Sequence, residues 1–370
     1  MSVKVKQIVS LIEDLAPREI AEEWDNVGLL VGSIDSVVNR VLLLLDVTEA
    51  AVDRALALGC ELIIAHHPVI FRPLKALRTD LPQGRILEKL IRAGVSVYAA
   101  HTNWDKCQSG TSRRLAESLG LRNISVLKAM GQDRRFKLVV FVPESHREAV
   151  FLAMSAAGAG HIGNYSHCSF ATHGTGTFMP LAGANPYVGR EQELAYVEEV
   201  RLEMIVPEAK LPAVLNGLKS AHPYEEIAYD VTVLQNAGQP YGLGCVGEVA
   251  PPLAWGEFSS LLRSLFPALR VAGHIPTEVR RVAVCGGAGS ELLLSAQAAR
   301  ADVFLTGDVG HHTALDAAAL GVAVVDAGHY ATEAFLLWDW HALLAEYASF
   351  NQVSLEIHVF SPEKPVFSVL

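Results

Sequence analysis

The chain has 370 residues, of which 51% are hydrophobic and 19% are charged, so it can bury a sizeable core in two domains or in one large domain with an insertion. Its formal net charge of −10 excludes a nucleic-acid scaffold, because it has no surplus of Lys and Arg to neutralise phosphates. The longest aliphatic run, residues 41–45, is too short to span a bilayer, and no apolar signal segment precedes it. Five scattered cysteines without a CxxC pair indicate reduced thiols. We therefore expect a cytoplasmic protein that binds neither nucleic acid nor membrane.

The first part of the chain alternates predicted helices and strands. An amphipathic N-terminal helix is followed by an acidic, aromatic turn at residues 22–26 and an apolar strand. A second strand is predicted at 41–46. Thr48 is the predicted N-cap of a helix that ends at Gly59. A buried strand then leads to His66 and His67, and a helix at 83–93 precedes the strand before His101. This alternation predicts an α/β sandwich with a largely parallel sheet.

The middle of the chain has a different pattern. It contains, in order, a strand at 136–142, a helix at 145–157, strands at 166–172 and 194–205, a helix at 210–220 and a strand at 226–234. The β-α-β-β-α-β order is that of the ferredoxin-like split motif. Residues 235–244 are rich in Gly and contain a Pro, which predicts an exit linker.

After Gly247 the α/β pattern returns. We predict a helix at 255–265, a strand at 279–285, a buried strand at 302–308 and a final strand at 353–359. The fold class is therefore α/β: an α/β sandwich core interrupted by an inserted ferredoxin-like α+β domain. The predicted boundaries are 1–130 for the first half of the core, 131–240 for the insert and 241–370 for the second half.

The two halves of the core share a sequence pattern. In the first, a strand ends at His66 and His67, and a later Gly-Val-Ser-Val strand leads to His101 with Asp105 four residues on. In the second, a strand leads to Asp308 with His311 and His312, and a Gly-Val-Ala-Val strand leads to His329 with Glu333 four residues on. The repeated order indicates a degenerate duplication.

The repeated histidines and carboxylates predict a metal centre. His and a carboxylate four residues apart lie on one helical face and can converge on a cation. Imidazole with carboxylate is a ligand set for zinc, iron or manganese. If the halves face each other, five side chains meet, which suits two divalent ions sharing a carboxylate: His66, His67, Asp105, His329 and Glu333. Neighbouring strand residues point apart, so we expect one ion at each of His66 and His67. The alternative is that these histidines only cap strands.

Other motifs admit two interpretations each. His101 and His312, together with His311, either support the metal ligands by hydrogen bonds or transfer protons. The loop at 286–289 is either an anion-binding nest or, as we favour, a tight turn. Cys107 is either a reactive thiol or, more simply, an idle one. Residues 222–226 form either an exposed loop or a substrate or partner surface, and residues 24–26 either bind substrate or shape a turn.

Several of these motifs together resemble one family. They are Glu23-Trp-Asp-Asn-Val-Gly-Leu, Ile64-Ala-His-His-Pro, His101-Thr-Asn-Trp-Asp, Thr306-Gly-Asp with His311-His312, and Gly328-His-Tyr-Ala-Thr-Glu333. In order and spacing they resemble the GTP cyclohydrolase I type 2 (Nif-three-like) dinuclear metal-centre family. The middle segment, with His222-Pro-Tyr-Glu-Glu, is similar to the PII-like (CutA-like) insert of its longer bacterial members. The resemblance implies the same five metal ligands, with Glu333 bridging, and a ring-shaped homohexamer.

The predicted ligand set and the resemblance together imply two candidate functions, and GTP as a substrate is what the resemblance implies. The first is a metal-dependent hydrolase that acts on GTP or another nucleotide-like heterocycle, with water attacking an electrophilic carbon such as purine C8. The second is a non-catalytic metal-binding or regulatory protein whose insert senses a small molecule or a partner.

Overall fold

The computed structural model describes residues 2–236 and 238–361. The chain forms two compact units: Met1–Met130 with Tyr241–Leu370, and Gly131–Pro240. Each unit has buried apolar clusters of its own. Within the described ranges, no helix has both the length and the apolar character needed to cross a membrane.

The N-terminal part of the first unit contains seven strands and five α-helices. The strands are β1 Val3–Lys4, β2 Gly28–Val31, β3 Val37–Val38, β4 Arg40–Leu44, β5 Leu62–Ala65, β6 Ser96–Ala99 and β7 Arg122–Gln132. The helices are α1 Val5–Leu15, α2 Glu49–Leu58, α3 Pro82–Ala93, α4 Thr102–Lys106 and α5 Thr111–Ser118. As predicted, the hydroxyl of Thr48 caps α2 by accepting from the Ala51 amide, and Gly59 ends the helix in the left-handed region.

The second unit has the order β-α-β-β-α-β. Its elements are β8 Arg135–Pro143, α6 Arg147–Ala156, β9 Ser169–Phe178, β10 Ala195–Pro207, α7 Leu211–Ala221 and β11 Tyr229–Leu234. The strands form an antiparallel sheet in the order β11-β8-β10-β9. Residues of β8, β10, α6 and α7 share one buried apolar cluster. This is the ferredoxin-like arrangement.

In the remainder of the first unit, the residues up to 361 that the structure describes form six strands and five α-helices. The strands are β12 Pro240–Ala254, β13 Arg270–Gly273, β14 Glu278–Ala288, β15 Val303–Gly307, β16 Ala323–Asp326 and β17 Glu356–Val359. The helices are α8 Trp255–Leu265, α9 Leu293–Ala298, α10 His311–Leu320, α11 His329–Glu333 and α12 Leu336–Phe350.

Two larger sheets carry the first unit. One has the order β17-β4-β5-β6-β2, in which β17, β4, β5 and β6 are parallel and β2 is antiparallel. The other has the order β13-β16-β15-β14-β12-β7, in which β14, β15 and β16 are parallel and β13 is antiparallel. The run β4-β5-β6-β2 therefore has the same order and directions as β14-β15-β16-β13. In both, three parallel strands end at one edge, where ligands bind in α/β sheets.

The structure confirms the mixed α/β class and differs from the sequence expectations in detail. Both sheets have antiparallel members, so they are less uniformly parallel than expected. The linker predicted at 235–244 is shorter, because β12 begins at Pro240 and lies beside β7 in the sheet. Both of these long strands were missed. β7 has few buried residues, and the Gly and Pro residues of β12 are typical of a linker.

Candidate metal centre

All five predicted ligands lie just beyond the carboxyl ends of parallel strands. His66 and His67 follow β5, which is buried throughout, and Asp105 is on the short helix α4 after β6. His329 begins α11 after β16, and Glu333 ends the same helix. His-x-x-x-Glu spacing on one helix places the two side chains on one face, with His329 Nε2 3.2 Å from Glu333 Oε1.

Glu333 lies at the centre of this group. Its Oε1 is 3.7 Å from His66 Nε2, and its Oε2 is 3.3 Å from His67 Nε2. The Nε2 atoms of His67 and His329 are 3.3 Å apart. Asp105 Oδ1 is 3.6 Å from His66 Nε2. The structure thus brings together all five residues, although they come from both halves of the sequence.

Three hydrogen bonds fix the orientation of the imidazoles. Nδ1–H of His66 donates to the carbonyl of Ala100 (2.8 Å), because a carbonyl can only accept. Nδ1 of His67 donates to Asp46 (2.8 Å), and Nδ1 of His329 donates to Asp308 (2.7 Å). In the neutral rings every Nε2 then presents a lone pair toward the centre, which is the orientation that metal-ligating histidines adopt.

The centre contains more acceptors than donors. Nε2 of His66 and Oε2 of Glu333 are buried and have no hydrogen-bond partner among the residues that the structure describes. Buried polar atoms are normally satisfied, so this pair indicates a missing positive group. Nε2 of His67 and Nε2 of His329 lie 3.3 Å apart, which matches the tetrahedral edge of about 3.3 Å around a cation with bonds of about 2.0–2.1 Å, and each lies 3.2–3.3 Å from an oxygen of Glu333. The residues present fit a metal ion.

The charges of these groups are coupled. Burial lowers the pKa of His67, but its hydrogen bond to Asp46 and the nearby carboxylate of Glu333 raise it to about 10. A hydrogen bond with Glu333 raises the pKa of His329 to about 9. Burial raises the pKa of Glu333, but the imidazoles of His329 and His66 that face it hold this pKa well below its usual range. Without a cation, protons hold the imidazoles beside the carboxylate, and a bound metal must displace them.

Gly287 gives Glu333 the space it needs. Gly287 has a φ of +63°, and a Cβ atom there would overlap Oε1 of Glu333 and lie 3.3 Å from His329 Nε2. The amide N–H of Gly287 also donates a hydrogen bond to the hydroxyl of Thr332 (3.0 Å). The 286–289 loop therefore does more than make the predicted tight turn: its second glycine forms part of the wall of the centre.

His101 lies beside the same group. The ligand nitrogens of His66, His67 and His101 lie within 4.8 Å of one another. Nδ1–H of His101 donates to Asp25 Oδ1 (2.9 Å), whose other oxygen accepts from the amide and hydroxyl of Thr102. Burial raises the pKa of Asp25, but its hydrogen bonds with His101 and Thr102 lower this pKa to about 2. Asp25 thus stays ionised and holds Nε2 of His101 free to accept a proton.

Other predicted residues are not brought to this group. His312 is exposed on the first turn of α10 and contacts the ring of His311 (centroids 5.6 Å apart). In the described ranges it makes no hydrogen bond or ion pair with the five. The thiol of Cys107 is buried, and burial raises its pKa to about 12, so it is not a reactive thiolate. All five cysteines are free.

Three contributing residues were not singled out from the sequence. Asp46 directly follows β4 and orients His67, and Asp308, noted only as part of a repeat, orients His329. A carboxylate at the end of a parallel strand next to a histidine strand is the signal that could have identified them. No local signal identifies Gly287, because its role depends on a residue of another helix.

A cavity of about 360 Å³ opens beside His67. It is lined by residues 46–48 and 67–69 and by Gln83 and Ile86. This volume is within the range of small-molecule sites, about 300–1,000 Å³.

Comparisons with known proteins agree on one family. The model of the Duf34/NIF3 (NGG1p interacting factor 3) family matches residues 3–365. The chain is 44% identical over 324 residues to a "GTP cyclohydrolase 1 type 2 homolog" of Halalkalibacterium halodurans, covering 87% of each chain. It is 42% identical over 332 residues to a protein of the same description from Bacillus subtilis, covering 89% of each. Among solved structures, it is similar to a Bacillus cereus protein related to NIF3, with a TM-score of 0.88, 42% identity, and 100% and 99% coverage.

Proposed function

Because this chain belongs to the Duf34/NIF3 family, we propose that it is a metal-dependent hydrolase acting on GTP or a related nucleotide heterocycle. One observation carries the proposal. The imidazoles of His66, His67 and His329 are each fixed by a hydrogen bond at Nδ1, and their Nε2 atoms face the buried carboxylate of Glu333. Among the described residues, no hydrogen-bond donor satisfies Nε2 of His66 or Oε2 of Glu333. The description of its relatives as GTP cyclohydrolase homologs supports the choice of substrate.

Two divalent ions of the zinc, iron or manganese type would be held by this ligand set. His66 and Asp105 would hold one ion, His67 and His329 would hold the other, and Glu333, which faces all three histidines, would be shared by both. When bound, such a pair supplies Lewis acidity that polarises the electrophile and lowers the pKa of water. In this assignment His66 and His67 bind different ions, as expected from the sequence.

His101 is the proposed proton-transfer residue. Asp25 holds its Nδ1–H, so Nε2 can take a proton from a water that attacks purine C8 and return it to the leaving nitrogen, once for each of the two C8–N bonds that break when formate is released. His312 was predicted for the same task and stays a prediction, without geometric support from its exposed position on α10.

Formate release tests the hydrolase. We expect protein reconstituted with each metal in turn to release formate from GTP, and His101→Ala to abolish release while keeping its metal. If His101→Ala also loses metal, His101 is a ligand instead. Absence of formate from several preparations of proven metal content would exclude GTP as the substrate.

A second function, regulation through the inserted unit, is favoured by its architecture. The ferredoxin-like unit 131–240 contributes none of the five predicted ligands. We propose that it is PII-like and senses a small molecule or a partner. Strands β7 and β12, which lead into and out of it, are neighbours in one sheet, so a short turn can replace 131–240. If turnover by this deletion variant is unchanged and no longer responds to ligands, the insert is regulatory; if turnover is lost with metal retained, the insert serves catalysis.

The predicted homohexamer and cytoplasmic location are part of this proposal. Native mass spectrometry of the metal-loaded chain tests the predicted homohexamer, and the same measurement counts the ions that each copy binds.

A further inference from the structure

The turn at residues 24–26 separates into anchored and projecting side chains. Asp25 is fully buried by its bonds to His101 and Thr102, and Asn26 donates its Nδ2–H to the carbonyl of Ile70. Trp24, between these anchored residues and Glu23, is 59% exposed. A role in shaping the turn explains why Asp25 and Asn26 are held by hydrogen bonds. It does not explain why the turn exposes the large indole of Trp24.

Trp24 is paired with a second exposed aromatic residue next to His101. Its ring lies edge-to-face with that of Phe71, with centroids 5.8 Å apart, and Phe71 is 42% exposed. The His101 ring is 6.2 Å from Trp24 and 6.5 Å from Phe71. Single exposed apolar residues are common on protein surfaces, but a rigidly held aromatic pair at a polar centre is typical of a ligand site.

We propose that Trp24 and Phe71 form an aromatic platform on which the planar base of the substrate stacks beside His101. This rests on the proposed function, since it places the substrate ring at the same centre. Aromatic side chains stack on nucleobases because each base has a π-face. The platform is held in place before binding: Asn26 ties the Trp24 turn to the segment that carries Phe71, and Gln83 holds that segment from its other side through the carbonyl of Val69.

The residues after Phe71 extend the proposal to the phosphates. Arg72 and Lys75 are exposed, and within the part of the chain that the structure describes, neither side chain forms an ion pair or hydrogen bond. Arg78, in the same segment, pairs with Asp80. In a chain with a net charge of −10, two exposed cations that follow Phe71 within four residues of the sequence and pair with no described carboxylate favour an anionic ligand. The substrate class is therefore a nucleotide rather than an uncharged heterocycle.

Calorimetric titration of the metal-loaded, full-length protein tests both parts, with GTP and inorganic tripolyphosphate as probes. We expect Trp24→Ala and Phe71→Ala to weaken GTP binding about 10- to 100-fold and leave tripolyphosphate binding unchanged. Trp24→Phe should stay within about threefold of the wild type, because a phenyl face still stacks. Arg72→Gln should weaken both probes. Trp338→Ala, which removes an indole 62% exposed on α12, is the matched control and should change neither.

Metal content and molar mass are measured on every variant. Equal GTP affinity for Trp24→Ala and wild type overturns the platform, as does failure of the wild type to bind GTP. Loss of metal in Trp24→Ala would show that the indole only supports the centre, and a changed molar mass would show that it packs against a second copy; either result overturns the proposal. Platform and hydrolase fail separately, because a protein that binds GTP through Trp24 but releases no formate keeps the first and loses the second.

Discussion

Nε2 of His67 and Nε2 of His329 lie 3.3 Å apart, although 262 positions separate the two residues in the chain. The Nδ1–H of each ring donates to an aspartate: His67 donates to Asp46, and His329 donates to Asp308. Two neutral imidazoles oriented in this way repel each other unless a proton or a metal ion lies between them. This contact joins the two halves of the sequence into one centre and is the basis of the first prediction.

The ligand assignment predicts selective loss of metal. Glu333→Gln removes the charge that all three imidazoles face, so we expect it to lose most of the bound metal. His66→Ala should lower metal content as well, whereas Cys107→Ala, a buried change outside the group, should not. Elemental analysis of the three purified variants measures this. Equal metal in all three would refute the assignment.

The aspartates behind the imidazoles act through orientation. Asp46→Asn and Asp308→Asn keep every proposed ligand, but each replaces the carboxylate that accepts from an imidazole Nδ1–H with a neutral amide. We therefore expect metal affinity to fall about 10- to 100-fold. Competition with a chromogenic chelator gives the affinity. Asp53→Asn on α2, whose carboxylate pairs with Lys89, serves as the control and should bind metal like the wild type. Unchanged affinity in both test variants would mean that packing alone orients the rings.

Gly287 makes a steric prediction. An added Cβ would overlap the Glu333 carboxylate, and its φ of +63° disfavours any other residue, so Gly287→Ala should lower both metal content and melting temperature. Gly256→Ala is the matched control, because a Cβ there meets nothing within 4 Å. A Gly287→Ala protein with full metal would show that Glu333 can move away without loss of binding.

The sequence was sufficient to predict five residues that the fold brings together, but not the residues that surround them. His329 and Glu333 could be predicted because the i, i+4 spacing is local to one helix, and family membership, predicted from the motifs, is confirmed. The relation of Gly287 to Glu333 could not be predicted, because it joins a strand and a helix whose approach only the folded unit defines. The turn at Trp24 was ambiguous for the same reason: its partner Phe71 lies 47 positions away, and only the fold brings the rings together.

Asp339 makes a prediction on pH and stability. Burial raises its pKa to about 6, although Arg114 at 3.2 Å opposes the shift. The raised value means that, between about pH 4 and 6, the folded protein holds a proton that the unfolded chain has released. Ionisation of Asp339 therefore lowers stability as the pH rises through that window.

Asp339→Asn cannot ionise, so the variant should escape this loss. Its melting temperature minus that of the wild type should become more positive between pH 4 and 7, by about 2–4 °C. Loss of the pairing with Arg114 offsets the comparison at the upper end but does not reverse its slope, because the burial effect exceeds the attraction. Calorimetry of both metal-loaded proteins across this range measures the difference. A difference that is flat or falls with pH would show that Arg114 compensates fully for the burial of Asp339.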